Sequence, residues 1–344
     1  MQTHPPLKPT GDRWRIGVVG AGNIAGFHLQ AWANCPDAVA VAICDTDRTR
    51  ARERADAFAI DTVYPGIDTM IGAGGIDALD VLTSRGTHEA MVRKAAEAGL
   101  PVLCQKPLTD YLATSEALVS DVRGRTRLMV NENSRFRSHY RQIGDWIAAG
   151  RLGEIRQVRD SLLTSGFLPQ ARGEPAPDLA RQPFLTTVPR ALIAEVLVHQ
   201  IDVLRSLLGP LTLLDTRTMR TSAGIVGEDV ATLMLETETH VPVIVEGNRA
   251  APGFTPGWAE DLVVIGTKAT ARLTDYDLAL LGPGPEHHAY ERTAAVQAGF
   301  DHAARAFITC LETGAPFPTA DNLETLGLVE EAYEQAGQPP RPIT

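Results

Sequence analysis

Residues 15–29 read RIGVVGAGNIAGFHL, and this stretch contains an apolar run, a glycine turn and a segment with helical spacing of its apolar residues. The segment begins with a β-branched apolar run (Ile16, Val18, Val19), which predicts a buried strand. The turn Gly20-Ala21-Gly22 follows, and apolar residues then recur at helical spacing. We therefore predict a strand, a tight turn and a helix.

The turn matches the pattern G-x-G-x-x-(G/A), with Gly20, Gly22 and Ala25 at its three fixed positions. Between a strand and a helix, the first glycine permits a sharp turn and the second lets the backbone approach a pyrophosphate. The small third residue lets the helix pack closely on the strand. The phosphates would sit at the helix N-terminus, where Asn23 and Ile24 lie. Glycines also serve ordinary turns, so the pattern needs support from elsewhere in the chain.

That support is an acidic residue at the end of the next apolar run, residues 38–44. Asp45 follows this run about 20 residues after the glycines, where a dinucleotide site carries a carboxylate for the adenosine ribose. Asp45 would also serve as N-cap of a helix over 48–58, and both roles can hold. A carboxylate repels a 2′-phosphate, so we predict NAD rather than NADP, a preference moderated by nearby Arg48 and Arg50.

The composition sets the class of protein. The chain has 344 residues, enough for two domains, and 32 basic against 42 acidic residues, a net charge of −10 that argues against nucleic-acid binding. No apolar run approaches the roughly 18 residues of a membrane span, and the N-terminus lacks a signal peptide's apolar core. We predict a cytoplasmic protein with no membrane partner, four reduced cysteines and no metal site.

The order of the predicted strands and helices divides the chain into two domains and a C-terminal segment. In residues 1–133 apolar strands alternate with helices, which predicts a doubly wound parallel sheet, the NAD-binding Rossmann domain. Residues 134–300 predict an α+β domain with a mostly antiparallel, open-faced sheet, its strands between 211 and 273 forming one meander. Its long loop, 165–189, is a candidate substrate lid. In residues 301–344 we predict two helices, over 300–313 and 323–336, that pack back on the first domain or at the domain junction.

Two strand ends of the first domain carry polar residues. The strand over 78–83 ends in TSRGTH, which places Thr83, Ser84 and His88 at the carboxyl edge of the sheet, where open α/β sheets bind ligands. The next strand ends in CQKP, which places Gln105 and Lys106 at the same edge. We predict that these residues contact the cofactor.

A helix over 190–208 carries an unusual polar stripe. At ~100° per residue, Glu195, His199 and Asp202 fall within an arc of about 60° on a helix that is otherwise apolar. Burial of such groups is costly without partners, so the stripe indicates a site. A structural stripe, an ion pair at the domain junction and, least favoured, a metal site remain alternatives.

Over nearly its whole length the chain resembles the glucose-fructose oxidoreductase, inositol dehydrogenase and MocA-type oxidoreductase family. The motifs are VGAGNIAGFH, CDTD, LTSRGTH, VLCQKPL, the pair Arg135-Phe136 and EVLVHQIDVLRSLLG, which is similar to the pattern D-x-x-x-H-x-x-D. The resemblance implies that Lys106 and His199 flank the substrate carbinol beside the nicotinamide, that Arg135 and Asp202 bind substrate, and that the open sheet face forms a homodimer or homotetramer. Gln105 and Glu195 depart from the family's usual Glu and Asp, and TTVPRAL replaces a glycine-rich turn.

These observations predict an NAD-dependent dehydrogenase or reductase acting on a secondary alcohol or ketone of a sugar, glycoside, cyclic polyol or related cyclic diol. His199 is the predicted base and Lys106 the group that stabilises the alkoxide, with Glu195 orienting His199 and Asp202 holding a substrate hydroxyl or the helix geometry. One alternative retains NAD for transient oxidation during hydrolysis or elimination of a glycoside. Another is a non-catalytic nucleotide sensor, against which the presence of both Lys106 and His199 argues.

Overall fold

The computed structural model describes residues 4–169, 174–257 and 259–337, and the chain divides into two compact units. The first unit comprises the chain up to Arg137 together with Val296–Leu323. The second comprises Ser138–Ala295 and the chain from Glu324 onward. The predicted segment 301–344 is therefore shared between the units. No helix within the described ranges is both long and apolar enough to cross a membrane.

The first unit is built on one parallel sheet of six strands in the order β3-β2-β1-β4-β5-β6. This order is that of a doubly wound dinucleotide-binding domain, so the predicted fold class is confirmed. The strands are β1 (Trp14–Val19), β2 (Ala38–Cys44), β3 (Thr62–Tyr64), β4 (Ala78–Val81), β5 (Val102–Gln105) and β6 (Leu128–Asn131). The helices are α1 (Ala25–Ala33), α2 (Arg48–Ala57), α3 (Ile67–Ala73), α4 (Arg85–Glu97) and α5 (Leu112–Val122). Most of a later helix, α9 (Arg292–Thr313), joins them, while its first residues, 292–295, belong to the second unit.

Apolar side chains cover both faces of this sheet. Val18 and Val19 are neighbours on β1, so they point to opposite faces, and each belongs to a different buried cluster. One cluster packs α1, α2 and α9 on the sheet, and the other packs α3, α4 and α5. Helices thus cover both faces of the parallel sheet, which explains why its strands are apolar runs that alternate with helices along the chain.

The second unit contains an eight-stranded sheet in the order β14-β13-β12-β11-β7-β10-β9-β8. Only the pair β7 and β10 is parallel. The strands are β7 (Ile155–Leu163), β8 (Leu211–Met219), β9 (Val230–Thr237), β10 (Pro242–Asn248), β11 (Glu260–Gly266), β12 (Thr270–Thr274), β13 (Asp277–Leu281) and β14 (Glu286–Ala289). The helices are α6 (Ser138–Ala148), the short α7 (Pro177–Arg181), α8 (Val198–Leu208) and α10 (Asn322–Ala336).

The predicted single meander is wrong, although the sheet is mostly antiparallel as predicted. β7 lies between β10 and β11, and β13 and β14 extend the sheet beyond the predicted strands. Strands joined by a tight hairpin pair with each other, whereas the longer Gly- and Pro-containing connection between β10 and β11 can pass over the end of an intervening strand. Sequence periodicity reports which face of a strand is buried and does not report its neighbour.

The helices of this unit cover one face of its sheet. Residues of α6, α8 and α10, among them Tyr140, Ile201 and Tyr333, share one buried cluster with the inward side chains of the strands. The opposite face carries large apolar side chains that are 37% to 49% exposed: Leu214, Met234, Ile265 and Leu281. The open face predicted from the sequence is therefore present within this unit.

The polar-stripe helix differs locally from its prediction. Its first turn, Ile193–Leu197, is π-helical, and regular α-helix begins only at Val198. The buried carboxylate of Glu228 accepts hydrogen bonds from the N–H groups of Ala191 (3.2 Å) and Ile193 (2.9 Å), and so caps this turn. The predicted start of the helix at Arg190 is therefore too early, because residues 190–192 lie before this π-helical turn.

Asp160 on β7 and Glu260 on β11 form a buried carboxyl pair, 1% and 2% exposed. Glu260 accepts hydrogen bonds from the Tyr140 hydroxyl at 2.6 and 2.7 Å. Neither oxygen of Asp160 accepts a hydrogen bond from a donor group among the described residues. Burial and the charge of Glu260 raise the pKa of Asp160 well above its ordinary value.

We expect Asp160→Asn to stabilise the protein at alkaline pH. The folded state keeps a proton that the unfolded chain releases, so the stability of the wild type falls as the pH rises above the ordinary pKa of an aspartate. The variant should melt roughly 2–4 °C higher than the wild type at about pH 8, and the difference should shrink toward about pH 4. Asp145→Asn, which removes an exposed carboxylate of the same unit, is the control. Equal pH dependence of melting in all three proteins would contradict a protonated Asp160 in the folded state.

Candidate active site

The glycine turn after β1 has the geometry of a phosphate cradle. Gly20 has φ +110°, and a Cβ there would lie 2.9 to 3.0 Å from the backbone of Leu82 and Thr83, so this position requires glycine. A Cβ on Gly22 would meet nothing within 4 Å, which leaves open space above the backbone. The N–H groups of Gly22, Asn23 and Ile24 donate to no acceptor in the described chain, and α1 begins at the next residue, buried Ala25. Free N–H groups at a helix start favour an anion.

Asp45 lies beside this turn as a bound carboxylate. One oxygen accepts from the N–H of Ala21 (2.7 Å), and the other accepts from the N–H of Asp47 (2.8 Å) and from Arg50 Nη2 (3.1 Å). Partial burial opposes ionisation, but these hydrogen bonds outweigh it and lower the pKa of Asp45. The alternative role of Asp45 as a helix cap is wrong, since Asp47 accepts from Thr49 and Arg50 and caps α2. The carboxylate of Asp45 faces the glycine turn instead.

A cavity of about 470 Å³ joins these features at the carboxyl edge of the first sheet. Its lining includes five predicted residues, Gly20, Gly22, Asp45, Thr83 and Ser84. It also includes residues that the sequence analysis did not select as cofactor ligands: Thr46 and Thr87, which lie within the quoted motifs, and Pro65, Ile67 and Lys94, which lie outside them. The open cradle, the free N–H groups and the ionised Asp45 fit the pyrophosphate and ribose of NAD.

His88 does not line this cavity. Its side chain is 1% exposed, with Nδ1 2.9 Å from the carbonyl oxygen of Pro107 and Nε2 2.8 Å from that of Thr83. Burial lowers the pKa of His88, so the ring is neutral and donates to one of the two carbonyls. Since His88 lies one turn inside α4, its side chain points into the unit and links the end of β4 to the turn after β5. The predicted direct contact with the cofactor is corrected to this linking position.

Lys106 follows β5 at the same sheet edge and is half-buried. Its backbone N–H donates to the side-chain oxygen of Gln105 at 2.7 Å. A glutamate would accept the same hydrogen bond, so Gln105 keeps the local geometry and removes only the charge. The peptide bond between Lys106 and Pro107 is cis.

Arg135 is committed to partners within the first unit. Its side chain is 7% exposed, and Nη1 donates to the carbonyl oxygen of Pro318 (2.6 Å) and to Asp321 (3.2 Å). These bonds tie the turn after β6 to the segment that precedes α10. We therefore do not propose Arg135 as a substrate ligand, because its side chain is buried and lines neither the cavity beside Asp45 nor that of Glu195 and His199.

In the second unit, Glu195 and His199 line one cavity of about 550 Å³. Both are half-buried; Glu195 lies on the π-helical turn and His199 on the first turn of α8. A π-helical turn in a long helix frequently marks a functional site. The predicted acid and histidine are thus brought together.

Asp202 lies one turn further along α8. It is fully buried, does not line the cavity, and accepts from the Thr325 hydroxyl at 3.2 Å. Thr325 in turn accepts from Arg205 Nη1 at 2.8 Å, so these groups hold α8 against α10. The correction for Asp202 is a structural position, the alternative that the sequence had left open for the stripe.

The same cavity contains charged residues that the sequence had not singled out: Asp178, Arg181, Arg249 and Arg292. Asp178 and Arg181 come from the predicted lid loop, of which 170–173 lie outside the described residues. The sequence indicated these two residues only indirectly, because they belong to the loop that was predicted to be a lid. Arg249 and Arg292 belong to no motif.

Two family models match the chain. The model described as "Oxidoreductase family, NAD-binding Rossmann fold" covers residues 14–132, and that described as "GFO/IDH/MocA C-terminal domain" covers 140–272. D-apiose dehydrogenase of Paraburkholderia graminis is 32% identical over 95% of this chain and 88% of its own length. Inositol 2-dehydrogenase of Rhizobium meliloti is 26% identical over 94% and 97%.

A solved structure agrees with these matches. An oxidoreductase from Agrobacterium radiobacter, in complex with NAD+, L-tartaric acid and magnesium, superposes with a TM-score of 0.85 at 29% identity, covering 95% of this chain and 97% of that one. The chain is an oxidoreductase with an NAD-binding Rossmann domain. Together with the cradle and the two-domain architecture, the matches show that the chain belongs to the glucose-fructose oxidoreductase, inositol dehydrogenase and MocA-type oxidoreductase family.

Proposed function

We propose that this protein moves hydride between NAD and a secondary alcohol or ketone of a sugar, glycoside, cyclic polyol or related cyclic diol. The observation that carries the proposal is the pair Glu195 and His199 in one cavity of the second unit. The names of the two relatives support a sugar or polyol, since one acts on D-apiose and the other on inositol. Charged and hydrogen-bonding groups dominate the named lining residues, which suits a hydroxylated substrate.

The roles follow from the chemistry of the reaction. Bound NAD supplies the hydride acceptor. Oxidation of a carbinol also requires that the hydroxyl proton leaves. Imidazole is the side-chain group suited to accept a proton near neutral pH, and His199 is the base we propose. Glu195, which lines the same cavity, orients His199. The ammonium group of Lys106 stabilises the alkoxide.

The test is NADH formation by the purified full-length protein with a panel of sugars, glycosides and cyclic polyols, followed by identification of the product. Accumulation of ketone and NADH in equal amounts supports the proposal. NAD that copurifies, with glycoside cleavage and no net NADH, would replace it with the hydrolase or lyase. Binding of NAD without conversion of any member of the panel would favour the nucleotide sensor. The cytoplasmic location stays a prediction.

We also propose a homodimer or homotetramer formed through the open sheet face of the second unit. Leu214, Met234, Ile265 and Leu281 are large apolar side chains on that face and are 37% to 49% exposed. Apolar patches of this kind mark interfaces. Light scattering should give at least twice the mass of one chain, and Met234→Glu together with Ile265→Glu should reduce it. A wild-type monomer would contradict the proposal.

A further inference from the structure

The cavity that holds Glu195 and His199 is richer in cations than the chain as a whole. Three guanidinium groups line it, those of Arg181, Arg249 and Arg292, against the two carboxylates of Asp178 and Glu195. The whole chain carries a net charge of −10. A local excess of positive charge in an acidic protein favours an anionic ligand.

Arg249 is held in place by its surroundings. Its side chain is 9% exposed, forms a close ion pair with buried Asp178, and stacks over the ring of Phe167 at 5.3 Å. Its Nε–H has no acceptor among the described residues. A buried donor without a partner costs free energy, so an acceptor on a ligand would relieve this cost.

Asp178 holds two of the three arginines. One oxygen pairs with Arg249, and the other accepts from Arg181 at 3.2 Å. Gly166 lets the Asp178 carboxylate approach, because a Cβ at Gly166 would overlap it. One buried carboxylate shared by two guanidinium groups leaves part of their charge uncompensated.

Arg292 is the third cation. No carboxylate in the described ranges lies within ion-pair distance of it, and Nη1 would lie 3.3 Å from a Cβ placed on Gly257. A side chain at position 257 would therefore press on this guanidinium. Its planar fork of donors matches a carboxylate in two parallel hydrogen bonds.

We propose that the substrate carries a carboxylate besides the carbinol, as an aldonate or a hexuronate does. This inference rests on the proposed function. Arg292 and Arg249 bind the carboxylate, while Glu195 and His199 face the hydroxyl to be oxidised. The excess of one guanidinium over the carboxylates of the cavity matches a monoanion, whereas a phosphate ester carries nearly two charges.

The experiment compares matched ligands on the NAD-loaded full-length enzyme by calorimetry. The pairs are D-glucuronate with D-glucose and D-galactonate with galactitol, and D-glucose 6-phosphate tests the other source of negative charge. We expect at least one acid to bind about 10-fold or more tightly than its neutral partner, the scale of one hydrogen-bonded charge. Arg292→Gln should remove about this factor for the acid and leave the neutral partner unchanged.

Two further variants make the result specific. Arg249→Lys keeps the charge but loses the paired N–H donors of the guanidinium, so it should weaken binding of the acid and leave binding of the neutral partner unchanged. Arg141→Gln changes an exposed arginine of α6 that does not line the cavity, and should change neither ligand. Neutral ligands that bind as well as the acids, tighter binding of the phosphate, or equal losses for acid and neutral ligand in Arg292→Gln would each overturn the proposal.

NADH formation with the same ligands separates this inference from the proposed function. Oxidation of the neutral sugars in preference to the acids would overturn the inference and leave the proposed function intact. Acids that bind through Arg292 but yield no NADH and no ketone would support the carboxylate site at Arg292 and count against the proposed function.

Discussion

Lys106→Met and His199→Ala are each expected to lower turnover by about 10²-fold or more, the scale of a lost acid–base or charge-stabilising group. Lys106 lies at the carboxyl edge of the first sheet, and His199 lines the cavity of the second unit. The affinity for NAD should change little in His199→Ala, because the phosphate cradle and Asp45 belong to the first unit. Steady-state kinetics and NAD titration of each variant measure both quantities.

The pH profile identifies the base. A base must be unprotonated to accept the hydroxyl proton, so the rate of alcohol oxidation should rise with pH through one ionisation and then level off. That ionisation should be absent from His199→Ala. His240→Ala changes a histidine whose side chain is 80% exposed and should keep the full rate and profile. If His199→Ala retains the profile while Lys106→Met is inactive, Lys106 is the base.

The first sheet was predictable because its determinants are local. Each strand is a short apolar run and each helix has its own periodicity, and right-handed parallel connections allow few orders. The second sheet was less predictable because the neighbours of β7 are distant in sequence, with β10 and β11 more than 75 residues further along the chain. The buried Glu228 that caps the π-helical turn is likewise a long-range partner.

The candidate site residues likewise differ in how well the sequence predicted their positions. Gly20, Gly22 and Asp45 were predicted because turn geometry and ribose recognition require particular residue types at particular spacings. His88, Arg135 and Asp202 are polar residues near the right elements whose side chains turn inward to structural partners. Residue type alone does not report this direction.

The arginines of the cavity line the site although no motif in the sequence indicated them. Arg249 follows the end of β10 and Arg292 begins α9, so each is an ordinary charged residue in sequence. Only the folded second unit brings them into the cavity of Glu195 and His199. The lid loop was recognisable by its length and composition, but its buried Asp178 was not.

The wild-type protein is expected to bind NAD about 10-fold or more tightly than NADP, and Asp45→Asn is expected to abolish most of that difference. The Asp45 carboxylate is oriented by the N–H groups of Ala21 and Asp47. Asp45 Oδ2 accepts only the bond from Ala21 and has a lone pair left for a ribose hydroxyl, and the charge of the carboxylate repels a 2′-phosphate. Titration with both cofactors, followed by tryptophan fluorescence, measures the ratio of the two affinities.

Asp47→Asn provides a matched control for this prediction. Asp47 lies two residues away and caps α2, and asparagine caps a helix as well as aspartate does. This variant removes a carboxylate of the same segment without removing the cap, so the ratio of affinities should stay close to that of the wild type. Because hydrogen bonding lowers the pKa of Asp45, the carboxylate stays ionised, and the preference for NAD should be constant between about pH 7 and pH 9, where the 2′-phosphate of NADP is also fully ionised. Tighter binding of NADP by the wild type would refute the role of Asp45, and loss of NADP affinity in Arg50→Gln would then assign the 2′-phosphate to Arg50.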